Sequence, residues 1–280
     1  MPPFNPHPVL FAVLLALGAS HTWWVGRGRA RLRAVIAWVI LAVVSLWPVG
    51  DLAAATSLTV ATAQRLVIML GVAPLLLLST STAQLNRLTR PALVDAVTRR
   101  LAHPGVALGF VTVVGTITLS TPVVDAGAHS SLVRGATLML VLLCGLVLWV
   151  PALGVMPGAR RLSPVGRAGF LFASSLVVTS LSVVWIFARH SLYPALHGQQ
   201  ALVHMTPVFD QQLAGFVAKL GAFVPMWSAS FVVFSRAIDA GDHVEESPLH
   251  WADVERQLLR IDRQRARRAR RSPPDAESPG

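Results

Sequence analysis

Residues 209–227 read FDQQLAGFVAKLGAFVPMW. The stretch opens on Asp210, Gln211 and Gln212, runs apolar for about four turns, and carries Lys219 within the apolar part. A run of this kind is long enough to cross the ~30 Å hydrocarbon core, which takes about 20 residues of helix. A cation at the centre of such a span costs roughly 2.5–3.5 kcal/mol on insertion scales, so it faces the bundle interior or reaches for an interface. The rest of the chain decides for the membrane. Of 280 residues only 13% are charged while 54% are hydrophobic, too little charge to solvate a soluble domain of this size.

Outward from that stretch, apolar runs bounded by charges or by Pro and Gly recur at about 8–25, 34–50, 57–79, 105–122, 132–153, 168–187 and 213–235. The expectation is an all-α, polytopic integral membrane protein with seven transmembrane helices. The first run is expected to be retained, because no Lys or Arg precedes it and RGRARLR follows it, the reverse of a signal peptide's charge order. Arginines concentrate in alternate connections: Arg27, Arg29, Arg31 and Arg33; Arg87, Arg90, Arg99 and Arg100; Arg160, Arg161 and Arg167. By the positive-inside bias these stay cytoplasmic, which with seven crossings sets the N-terminus outside and the C-terminus inside. Residues 1–236 then form the membrane domain. Residues 237–280 form a basic cytoplasmic tail, with an amphipathic helix over 249–271 able to lie on anionic lipid, and a disordered end. Lipid is the expected partner of that tail, and nucleic acid is not. The single cysteine, Cys144, lies within an apolar run and excludes a disulfide framework.

On this layout the polar residues left unexplained gather toward the outer side: Asp51, Gln64, Arg65, Asp125, Arg134, Asp210, Gln211, Gln212 and Lys219. They predict a charged cluster in which Arg65, Arg134 and Lys219 meet the carboxylates, with Asp210 and the glutamines at the N-terminal end of the last helix, where the dipole favours a carboxylate. Bundle cohesion alone accounts for such a cluster equally well. His190, His197, His204 and Met205 form a second candidate set, since imidazole and thioether suit copper. Pro194, Gly198 and Pro207 argue against one helix presenting all of them. No hydrolase motif, phosphate loop or HExxH is present, so no catalytic constellation is expected.

Six stretches, in order, carry a resemblance: WPVGDLA at 47–53, QRLVIMLGVAPLLLLS at 64–79, HP at 103–104, GLVLWVPALG at 145–154, LYP at 192–194 and DQQLAGFVAKLG at 210–221. Together they resemble the CtaG family of cytochrome c oxidase assembly factors. The resemblance implies a seven-span accessory protein of a bacterial plasma membrane, without catalysis of its own. It would act at the outer face on cytochrome c oxidase subunits in the respiratory chain, with copper as the metal it delivers. It also implies histidine ligands in the third span and at the start of the fifth. Here those places hold Ala61 and Arg65, and Arg134 and Leu138. The competing class is a small-solute or ion transporter that uses the buried charges as a path, although paired interruptions of inverted repeats are not evident.

Overall fold

A computed structural model describes residues 7–55, 57–156, 162–196 and 205–245. Two units are distinguished, Met1–Phe234 and Ser235–Gly280. The described residues of the first are almost entirely helical. In chain order the helices are α1 (Pro8–Trp24), α2 (Arg29–Ser45), α3 (Val49–Ala55) and α4 (Leu58–Leu66); a π-helical segment, Val67–Val72, joins α4 to α5 (Ala73–Ser79). There follow α6 (Thr82–Leu88), α7 (Ala92–Leu101), α8 (Pro104–Thr118), α9 (Thr121–His129) and α10 (Ser131–Leu153). The last are α11 (Pro164–Val178), α12 (Ser180–Phe187) and α13 (Pro207–Glu245). The expected tail helix at 249–271 lies outside the described residues.

The seven-crossing expectation is overturned. Among the described residues four helical stretches are long and apolar enough to cross a membrane: Leu58–Ser79, Ser131–Leu153, Pro164–Phe187 and Pro207–Ile238. A fifth is reached only if α7 and α8, bent by 89° against each other, count as one. The reasons are local. The run at 8–25 folds into the 17 residues of α1, roughly 26 Å at 1.5 Å per residue. The run at 34–50 becomes α2, which takes Arg29, Arg31 and Arg33 into its first turns and stops at Ser45, ahead of an extended Leu46 and a cis Trp47–Pro48 bond. The run at 105–122 is cut after Thr118, where the chain restarts as α9. The orientation argued from seven crossings falls with the count. The chain remains an all-α, multi-pass membrane protein.

The core sits where α10 crosses the π segment. An additional Cβ on Gly145 would lie 2.7 Å from Ala73 Cβ and 2.9 Å from Met69 Cα, so only glycine lets the two backbones approach this closely. One turn on, Trp149 Nε1 donates to the Met69 carbonyl at 2.9 Å. A π turn breaks the i to i−4 ladder, and here an indole from the neighbouring helix partners a carbonyl within it. Two of the stretches behind the resemblance, 64–79 and 145–154, are thus the two sides of one helix crossing.

The final span contacts α11 and α12. Trp227 Nε1 donates to Ser175 Oγ at 3.0 Å, and Ser230 Oγ to the Ala168 carbonyl at 3.0 Å. Gly215 comes so close to α12 that a Cβ there would lie 2.8 Å from the Ser182 carbonyl oxygen. On the opposite side Phe216, Leu220, Val224 and Phe231 are exposed, a face for hydrocarbon rather than water.

Candidate functional site

Asp210 is wholly buried. It lies in the first turn of α13, yet its carboxylate serves another helix. Ser57 caps α4 by accepting from Val60 N–H, and Asp210 completes that cap. Its Oδ1 accepts from Ser57 Oγ at 2.7 Å and from Thr59 N–H at 3.2 Å, and its Oδ2 accepts from Leu58 N–H at 2.6 Å. Thr59 Oγ1 returns a 2.8 Å bond to the Asp210 carbonyl. Three donors at a helix N-terminus satisfy both carboxylate oxygens in a nonpolar interior.

The two amides beside it hold the segment after α12. Gln211 Oε1 accepts from Leu192 N–H at 2.8 Å and its Nε2 donates to the His190 carbonyl at 3.5 Å. Gln212 Nε2 donates to the Ala188 carbonyl at 3.1 Å. The Asp-Gln-Gln sequence is therefore a clasp that joins α13, the start of α4 and the chain over 188–192. Tyr193 extends it: the phenol donates to the Leu119 carbonyl at 2.8 Å, and Thr121 Oγ1 to the Leu192 carbonyl at 3.0 Å. Burial pushes the Tyr193 phenol up to about 12.

The remaining sequence-derived residues divide into separate contacts. Asp51 accepts from His7 Nε2 at 2.8 Å and from Arg134 Nη1 at 3.3 Å. Asp125 Oδ1 accepts from Ala195 N–H at 3.3 Å. Gln64 Nε2 donates to the Val44 carbonyl at 2.7 Å, fastening α4 to the end of α2. Lys219 Nζ reaches Thr179 Oγ1 at 3.4 Å. Of the nine, only Asp51 and Arg134 form an ion pair. His190 is exposed and Met205 half-buried, while His197 and His204 lie outside the described residues. Among the described residues no group of three or more His, Cys, Asp or Glu side chains could hold a metal ion.

Arg65 lies between two adjoining cavities of about 70 and 80 Å³ and donates from Nη2 to Thr118 Oγ1 at 2.5 Å. The larger is lined by Ala61, Arg65, Arg134 and Leu138, among others. The four places where the resemblance implied imidazoles thus share one cavity, and in this chain they supply two guanidinium groups and two apolar side chains. Sequence reasoning missed Ser57, Thr62, Thr118 and Trp185. Ser57 carried a signal, a serine directly before a helical apolar run. The others are polar groups inside apolar runs, and what surrounds them comes from distant parts of the chain.

A family model described as Cytochrome c oxidase caa3 assembly factor (Caa3_CtaG) matches residues 9–240. No curated protein and no solved structure matches the chain.

Proposed function

The chain belongs to the family of cytochrome c oxidase caa3 assembly factors, and from that membership we propose that it holds a subunit of the oxidase in a bacterial plasma membrane while the enzyme is put together. The role is that of an accessory protein, without turnover chemistry. The surface proposed for the contact is the end of the bundle where α3, the start of α4, α9, the 188–196 segment and the start of α13 meet. The observation carrying this proposal is the clasp made by Asp210, Gln211 and Gln212, which fixes three chain segments at that end. A surface meant to orient a partner has to be rigid before the partner arrives.

Copper delivery is the finer role within the family reading, with the ion as cargo. The donor set does not fit it: the cavity holding Arg65 and Arg134 presents cations where a cation would have to bind. We therefore place the protein on the scaffolding side of oxidase assembly, with no transfer step through a metal of its own.

Deleting the gene tests the proposal. Membranes of the deletion strain should lose the absorbance of assembled oxidase, and the full chain should restore it. Oxidase spectra unchanged by the deletion would overturn the assembly role. Tight stoichiometric copper binding by the purified protein would overturn the scaffolding assignment while leaving the assembly role in place.

A further inference from the structure

Residues 1–234 contain four carboxylates, Asp51, Asp95, Asp125 and Asp210. Each is committed elsewhere. Asp51 serves His7 and Arg134, and Asp95 pairs with Arg99 on the same helix. Asp125 accepts from Ala195 N–H, and Asp210 is taken up by the start of α4. Among the described residues none is in ion-pair reach of Arg65, and the one hydrogen bond of its guanidinium goes to the neutral Thr118 hydroxyl. A guanidinium inside a helical bundle, surrounded by lipid, needs an opposite charge as well as hydrogen-bond acceptors.

The cavity beside it offers further polar atoms without partners. Thr62 is 5% exposed and its Oγ1 is unpartnered, and so is Arg134 Nε; both residues line the wall with Arg65. The adjoining cavity shares Thr62 and Arg65 and is lined in addition by Cys144 and Trp185. Donors predominate in this set, and its one unneutralised member is a cation. Water can satisfy the hydrogen bonds but brings no charge.

We propose that the cavity between Arg65 and Arg134 binds a small monovalent oxyanion of the carboxylate class, held by the two guanidinium groups and the Thr62 hydroxyl. Two oxygens on one carbon match the planar fork of a guanidinium. A cavity of about 80 Å³ admits such an ion and excludes a drug-sized molecule. The site is independent of the oxidase contact, so either can fail without the other.

The test uses the full chain in neutral phosphatidylcholine nanodiscs with formate as the probe. Saturation transfer from protein to formate should be seen and should be competed away by acetate. Thermal unfolding should shift upward with formate and reach a plateau, as it must for a ligand bound only by the folded state. Arg65→Gln should weaken formate binding roughly tenfold or more, equivalent to the loss of one charge-assisted hydrogen bond. Should that variant fail to fold, the wild-type saturation-transfer measurement still decides. Absence of saturable formate binding, or binding unchanged in a folded Arg65→Gln protein, overturns the proposal. Displacement of formate by soluble dimethyl phosphate more strongly than by acetate would put a lipid phosphodiester in the site and overturn the assignment to a small carboxylate.

Discussion

Ser57 Oγ and Asp210 Oδ1 lie 2.7 Å apart although 153 residues separate them in the chain. The bond is buried, and it ties the first turn of α13 to the first turn of α4, so the last helix is docked through its head. Two backbone amides of α4 share the same carboxylate.

Asp210→Ala leaves Leu58 N–H, Thr59 N–H and the Ser57 hydroxyl facing an apolar void. Loss of a cap together with buried unpaired donors is expected to cost about 2–4 kcal/mol. Asp210→Asn, which keeps an acceptor but loses the charge and adds a donor with no acceptor facing it, should lie between the two. Thermal unfolding in detergent, read by tryptophan fluorescence, should rank the proteins wild type, Asn, Ala.

Gly145→Ala should destabilise, because its Cβ meets the Met69 backbone and Ala73 at under 3 Å. Forcing a methyl into such a contact costs about 1–3 kcal/mol. Gly71→Ala is the control: it lies in the π segment that α10 crosses, and a Cβ there meets nothing within 4 Å. Its unfolding midpoint should equal or slightly exceed that of wild type, since alanine has less backbone freedom to lose.

Tyr193 is the sole tyrosine, so tyrosinate absorbance reports on it alone. Its ordinary value is 10.0 and burial raises it to about 12 in the folded protein. Below pH ~10 the phenol is neutral in both the folded and the unfolded chain, and its contribution to stability is constant. Between pH ~10 and ~12 the unfolded chain ionises first, so stability falls by about 2–3 kcal/mol over that window. Absorbance titration should show a midpoint near 12, dropping to near 10 when the protein is unfolded in denaturant. Tyr193→Phe should remove that share of the alkaline loss.

Asp51 and Arg134 should couple. The pair is partly exposed and stands at 3.3 Å, so a double-mutant cycle with Asp51→Asn and Arg134→Gln should return only about 1 kcal/mol. A coupling near zero would mean that His7, at 2.8 Å, carries the carboxylate alone.

Much of this was readable before any coordinates. Composition and run length specify a helical membrane protein, and the ordered stretches from 47–53 to 210–221 specify the family. Span number was less readable, because hydropathy does not register where the backbone breaks. The three arginines that open α2, the extended Leu46 that ends it and the stop after Thr118 each shorten a helix whose composition suits a longer one. Sequence places Asp210 at the head of its own helix, because it shows near neighbours and not the start of α4 lying against it. For Lys219 the sequence implies a carboxylate partner; the structure gives it the hydroxyl of Thr179, at the junction of α11 and α12, a geometry set by tertiary packing alone.

The π turn at Val67–Val72 governs more than its own six residues. Neighbouring positions on an α-helix point about 100° apart, so one surplus residue in the winding sets the azimuth of everything on the far side of it. Excising a single residue there would leave Ala73–Ser79 seated against α2 and α10 while swinging Gln64 and Arg65 by more than a quarter of a revolution. The amide would lose the Val44 carbonyl and the guanidinium would leave both cavities. A mere insertion, contributing no reactive atom, thus aims the interior chemistry of the bundle.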